Sequence, residues 1–158
     1  MANTQSMCTS FMSELMTATH NFGTAPTRGT STADTFKAAL YLASATVNAN
    51  TTAYSATNEV SGTNYTPGGV TVSNATAPTP SNTSATAGVA YWTPSGPITY
   101  TNVTLTTAFD AVLIYNSTQS NKAVSVHTFG SQTITAGTFT LTMPSNTTST
   151  ALLRLATT

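Results

Sequence analysis

Residues 109–115 read Phe-Asp-Ala-Val-Leu-Ile-Tyr, and this stretch decides the fold class. Side chains alternate between the two faces of an extended chain, so every second residue from Phe109 to Tyr115 lies on one face. The intervening residues are also apolar, with the exception of Asp110. A strand that is apolar on both faces is typical of the interior of a sheet. The stretch therefore predicts a central β-strand.

Further strand patterns lie on both sides of this stretch, separated by residues that favour turns. The cleanest is residues 138–143, where Phe139, Leu141 and Met143 alternate with threonines. Short strands at close spacing favour an antiparallel arrangement over parallel β-α-β units. We therefore predict a mainly β protein with an antiparallel β-sandwich or barrel-like domain. The other predicted strands are residues 35–43, 70–74, 89–93, 98–105, 122–129, 132–134 and 151–155.

The N-terminal residues follow a different period. Met7, Phe11 and Leu15 recur at helical spacing, and Gly23 supplies a stop signal. This pattern predicts one amphipathic α-helix over residues 3–22. Its methionine-rich face can pack either on the core of the same domain or on a partner.

A chain of 158 residues is long enough for one hydrophobic core. We expect a single domain over residues 1–158, in which a β domain at 35–158 follows the helix. Residues 75–88 include Pro78 and Pro80 and few apolar side chains. That composition predicts a mobile linker within the β domain.

Charged residues make up only 5% of the chain, and the formal net charge is +0. A protein without a basic surface binds nucleic acid and anionic membranes weakly, so we expect neither as a partner. We also expect no signal peptide and no transmembrane segment. Low charge gives little repulsion between copies, and the single cysteine, Cys8, cannot form an internal disulfide. The composition therefore favours a homo-oligomer, most simply a trimer.

Residues that could carry chemistry are few and widely spaced. The chain has four carboxylates and two histidines, and none of them forms a pair or a metal-binding motif in the sequence. We therefore predict no enzymatic activity, no cofactor and no metal. Structural roles are expected for all the residues considered: Asp34 in a turn, Asp110 on a buried strand, His20 near a helix end, His127 on a strand and Cys8 in the core.

Aromatic residues near loops remain as candidates for an interface. Tyr and Trp often anchor protein partners, and they can also stack on sugars. We predict interface roles for Tyr54, Tyr65 and Trp92, together with Glu59 in the loop at 59–69. This loop is expected to be ordered in an assembled particle. The alternative is that Tyr65 folds back on its own sheet and leaves nothing for a partner.

Several segments together resemble the small structural proteins of tailed bacteriophages. The most distinctive is the loop Glu59-Val60-Ser61-Gly62 within residues 57–69, and it lies between segments similar to residues 36–41 and 109–115. The N-terminal helix and residues 137–141 fit the same order. The resemblance covers nearly the whole chain, and residues 78–84 depart from it.

The resemblance implies a virion protein that is assembled in the cytoplasm of the host cell. The leading hypothesis is a capsid decoration or cement protein that stabilises the coat lattice. Its partners would be copies of itself and phage coat or other virion proteins. A tail or head-to-tail component, such as a fibre or adaptor subunit, is the alternative. A carbohydrate-binding module is a more distant one.

Overall fold

Two antiparallel sheets and one short helix account for the regular structure in a computed structural model that describes residues 2–16, 18–22, 33–73, 77–81 and 88–156. The sheets contain five and three strands and pack in a sandwich-like arrangement. This confirms the predicted mainly β fold and favours the sandwich over a closed barrel. The elements are β1 Ser6–Met7, α1 Thr9–Met16, β2 Phe36–Leu42, β3 Val70–Thr71, β4 Thr79–Ser81, β5 Val89–Trp92, β6 Ile98–Asn116, β7 Lys122–Leu141 and β8 Leu153–Ala156.

The larger sheet has the strand order β1-β7-β6-β2-β3. The stretch 109–115 lies in β6, between β2 and β7, where Leu113 pairs with Ala39 on one side and with Val126 on the other. Residues 111–116 are buried. The central position predicted from the apolar run is therefore confirmed.

β6 and β7 are longer than the strands predicted there. The separate strands expected at 98–105 and 109–116 form one continuous strand, and those expected at 122–129, 132–134 and 138–143 merge into β7. The pairing shifts register at several places between Tyr100 and Ala111. The hydroxyl of Tyr100, in the first half of β6, donates a 2.8 Å hydrogen bond to the carbonyl of Ala38 in β2. Bulges of this kind increase the local twist of a strand without ending it.

The smaller sheet has the order β4-β5-β8. Pro80 pairs with Ala90, and Trp92 pairs with Leu153. Residues 79–81, within the predicted mobile linker, form β4, and the mobility of this segment stays a prediction. Pro80 is tolerated there because an edge strand does not need every backbone donor. The remainder of that prediction lies partly outside the described residues, at 75–76 and 82–87.

The predicted helix over 3–22 is too long, since α1 spans Thr9–Met16. Before it, Ser6 pairs with Val126 at the edge of the large sheet, and the amide of Cys8 donates to the carbonyl of Val124 at 3.0 Å. Ala18, with a positive φ of 55°, lies beyond the end of the helix. The apolar residues that suggested one long helix belong instead to a short strand, β1, and to the short helix α1 that follows it.

Candidate functional site

The carboxylate of Glu59 lies at the centre of a cluster of tyrosines. Its two oxygens accept hydrogen bonds from the hydroxyls of Tyr54 and Tyr65, at 2.6 Å and 2.7 Å. The backbone amide of Gly68 donates a third bond, of 2.8 Å, to the same group. We call Glu59, Tyr54, Tyr65, Tyr100 and Tyr115 the tyrosine–Glu59 cluster.

The cluster attaches the loop at 59–69 to the sheet. The amide of Leu40 donates to the hydroxyl of Tyr65 at 3.1 Å, and the hydroxyl of Tyr115 donates to the carbonyl of Gly68 at 2.8 Å. Tyr54 stacks on Tyr115 with ring centroids 4.7 Å apart. Tyr65 stacks in the same way on Tyr100, at 5.9 Å. The loop is therefore held through both its backbone and its side chains.

The turn at the end of this loop requires glycine. Gly68 and Gly69 have φ angles of 87° and 73°, in the left-handed region that other residues avoid. A Cβ on Gly69 would also come within 1.6 Å of the carbonyl oxygen of Ala38. The close approach lets β3 pair with β2, where Val70 lies opposite Ala38.

Burial favours the protonated form of the tyrosines in the cluster. Burial, together with the hydrogen bonds to Glu59, raises the pKa of Tyr54 and of Tyr65 above the ordinary value for tyrosine. Burial also raises the pKa of the neighbouring Tyr41 to about 12. These phenols therefore stay protonated and donate hydrogen bonds at neutral pH. The hydrogen bonds that Tyr54 and Tyr65 donate to Glu59 stabilise the loop.

The predicted interface residues occupy two different places. Tyr54, Glu59 and Tyr65 come together in the cluster, whereas Trp92 lies beside Phe22, with ring centroids 4.7 Å apart. Tyr65 is 8% exposed and Trp92 is 2% exposed. Tyr65 folds back on its own sheet, as in the alternative considered above, and Trp92 joins the aromatic core. The interface roles of these two residues stay predictions. Tyr54 and Glu59 are half-buried, and their role at an interface stays a prediction.

A second polar cluster lies near the N-terminal segment, and sequence reasoning did not find it. His20, buried and beyond the end of α1, contacts the carboxylate of Glu14 at 2.7 Å and the side-chain amide of Asn116 at 3.1 Å. The amide of Asn116 also donates to Asp34, at 2.7 Å, and Lys122 forms an ion pair with Glu14. The members lie up to 108 positions apart in the sequence, so no local spacing revealed them.

The remaining reactive groups have structural partners or are buried. Asp110 accepts a 2.6 Å hydrogen bond from Asn3. His127 contacts the hydroxyl of Ser125 at 2.9 Å, and burial lowers its pKa to about 4. Burial raises the pKa of the Cys8 thiol to about 11, which makes it a poor nucleophile. Among the residues that the structure describes, no three His, Cys, Asp or Glu side chains are grouped to hold a metal ion.

A long stretch of the chain carries no charged side chain. Residues 123–153 contain no Lys, Arg, Asp or Glu. Within them, β7 exposes Thr133, Thr135, Thr138 and Thr140, among other residues. We call the exposed side chains of residues 130–140 the uncharged face. It presents hydroxyl and methyl groups from one strand to whatever lies beside it.

None of the described helices has the length and apolar character needed to cross a membrane. Comparisons with protein-family models, with curated proteins and with solved structures found no match for this chain.

Proposed function

We propose that the protein is a structural protein of a tailed-bacteriophage virion, and that it acts as a capsid decoration or cement protein on the coat lattice. The resemblance of the loop at 59–69 and of strands β2 and β6 to small phage structural proteins supports virion membership. The uncharged face on β7 carries the assignment to a structural role.

Burying the uncharged face would cost little in desolvation. A charged side chain loses a large hydration free energy when it leaves water, whereas a threonine presents a methyl group and a hydroxyl that can bond to a neighbour. Gly130 to Thr133 and Thr135 are exposed in succession along β7, interrupted only by the half-buried Ile134. Such a surface suits close packing against another neutral protein surface.

The polar interior supports the same proposal. All four carboxylates of the chain accept hydrogen bonds from other groups of the chain: Glu14, Asp34, Glu59 and Asp110. Glycoside hydrolysis, as one example, needs two carboxylates that face a common substrate. The acids of this chain instead connect its own segments to one another. This use of the carboxylates favours a scaffold over an enzyme.

The proposed partners are copies of the protein, most simply in a trimer, and the coat or other virion proteins. Net charge near zero promotes association because copies repel one another weakly. The half-buried Tyr54 is the aromatic of the tyrosine–Glu59 cluster that is best placed to contribute contact area to such an interface.

Charge placed on the uncharged face tests the proposal. Thr135→Lys is expected to reduce incorporation of the protein into particles at least tenfold, because a buried, unpaired ammonium opposes docking. Thr52→Lys is the matched control, since Thr52 is also exposed and lies in a different loop. Mass spectrometry of purified particles gives the copy number for each variant.

Equal incorporation of the two lysine variants would contradict a docking role for the uncharged face. Complete absence of the unmodified protein from purified particles would contradict virion membership itself. Both variants must keep the melting temperature of the unmodified protein for the comparison to count.

A further inference from the structure

Four of the eight charged side chains lie at the boundary between the N-terminal segment, residues 2–22, and the sheets. Glu14 of this segment binds Lys122 of β7. Asp34 accepts a 2.9 Å hydrogen bond from the backbone amide of Asn21, and Asp110 of β6 accepts one from Asn3. In a chain with so few charges, this boundary is unusually rich in titratable groups.

His20 is the member of this boundary whose proton position is fixed by its neighbours. The side-chain oxygen of Asn116 accepts hydrogen bonds from the amides of Thr118 and Gln119, at 3.1 Å and 3.2 Å. The nitrogen of the same amide group therefore faces His20 and donates to Nδ1 of the ring. Since Nδ1 must accept, the proton of the neutral ring lies on Nε2 and is donated to Glu14.

Protonation of His20 would place a second donor where only an acceptor fits. An N–H at Nδ1 would point at the amino group of Asn116, and the hydrogen bond between them would be lost. The ring cannot turn toward water, because its side chain is fully buried. It lies between Phe11 and Phe36, with centroid distances of 4.9 Å and 6.4 Å. An additional proton on this ring is therefore incompatible with the docked segment.

We propose that residues 2–22 form an arm that mildly acidic solution releases from the sheets, with His20 as the group that takes up the proton. Release would uncover the rings of Phe36 and Trp92, on which Phe22 now packs at 4.3 Å and 4.7 Å. An uncovered aromatic surface of this kind can bind the arm of a second copy, since an identical segment fits the site. The device belongs to the isolated chain, whether or not that chain is part of a virion.

The charged groups around His20 set the direction of the pH dependence. Burial lowers the pKa of His20, and the carboxylates of Glu14 on α1 and Asp34 before β2 oppose this effect, while Lys122 of β7 adds to it. The pKa of His20 is lower in the docked state than its free value of about 6.5. Docking is therefore favoured above about pH 6.5 and becomes less favourable as the pH falls below it. Acid therefore favours release.

Glu14 acts in the same direction at lower pH. Burial alone would raise the pKa of Glu14, but hydrogen bonds from Lys122 and His20 outweigh burial and the pKa is lowered. The stabilisation from Glu14 is therefore present above the ordinary pKa of a glutamate, about 4.3, and is lost below it. His20 is the group within the arm that favours release as the pH falls below about 6.5. His127, which lies beside β1 and whose pKa burial lowers to about 4, is the other histidine from which its effect must be separated.

The single cysteine reports directly on the arm. Cys8 lies within it and is 0% exposed. A pyridyl disulfide reagent modifies accessible thiols even in mildly acidic solution, so its rate with Cys8 measures how often the arm opens. The rate at each pH is divided by the rate for the denatured protein, which removes the intrinsic effect of pH on the thiol. This ratio should rise as the pH falls from 6.5 to 5, by at most about tenfold per pH unit.

His20→Gln should abolish this rise, because glutamine can donate to Glu14 but does not titrate. His127→Gln is the matched control and should keep it, since His127 contacts Ser125 on β7 and lies outside the arm. A flat ratio in the unmodified protein, or a rise that survives in His20→Gln, would overturn the proposal.

Hydrogen exchange of the unmodified protein decides the matter if His20→Gln does not fold. Acid should increase the opening of the arm, measured as the hydrogen exchange of peptides from residues 2–22 corrected for the intrinsic effect of pH. Peptides from β2 and the second half of β6 should stay protected. Equal increases in the arm and in these strands would mean global unfolding and would refute a releasable arm.

Discussion

Tyr65 shows how one residue changes from an expected surface anchor to a part of the core. Its ring is buried against Tyr100, and its hydroxyl accepts from Leu40 and donates to Glu59. A tyrosine in a polar loop gives no local sign of whether its ring points to the domain or away from it. The decisive partner, Tyr100, lies in the strand β6, 35 positions away, and sequence spacing does not reveal such a contact.

Truncation of this side chain should lower stability. Tyr65→Ala is expected to cost about 3 to 5 kcal/mol, as for other large aromatic side chains removed from a core. Tyr65→Phe should cost less, roughly 1 to 3 kcal/mol, because it leaves Glu59 and the amide of Leu40 each short of a partner. Thermal unfolding followed by circular dichroism measures both.

Tyr91→Phe serves as the control, because it removes a hydroxyl outside the tyrosine–Glu59 cluster. It should leave the melting temperature nearly unchanged. A Tyr65→Ala variant as stable as the unmodified protein would show that the cluster does not hold the loop.

Strands were easier to predict than the helix and the bends, and the reason is physical. A period of two over 109–115 or 138–141 reports burial on the face of a sheet, and tertiary structure preserves it. Gly130 and Gly137 fall between the separate strands predicted at 122–129, 132–134 and 138–143, yet both lie within β7. Glycine allows a bulge as readily as a turn, and only the pairing partner distinguishes them.

The two-glycine turn before β3 should be intolerant of side chains. Gly69→Ala is expected to destabilise the protein by roughly 3 kcal/mol or more, because it combines a left-handed backbone with a clash against Ala38. The measurement is chemical denaturation with urea.

Gly96→Ala provides the comparison for this change, since a Cβ at Gly96 would meet no atom within 4 Å. It should be neutral or slightly stabilising. Similar losses for the two glycines would contradict the described backbone of the turn.

On the scale of the whole molecule, the few charges hold segments together and one face is left without any. The sequence itself shows the low charge and contains no adjacent pair of acids. It does not show that each acid joins separate parts of the chain. Such contacts depend on topology, as between Glu14 and Lys122 or between Asn3 and Asp110. The candidate site was accordingly predicted in part: Tyr54, Glu59 and Tyr65 come together, and Trp92 does not join them.

Electron cryo-microscopy of intact particles of the proposed phage tests the central proposal most directly. We predict density for this fold on the outside of the coat lattice, in contact with more than one coat subunit, with the uncharged face of β7 at a contact. Density in the tail or at the head-to-tail junction would contradict the cement role and leave a virion protein. Particles that lack the protein altogether would contradict the structural role proposed for it.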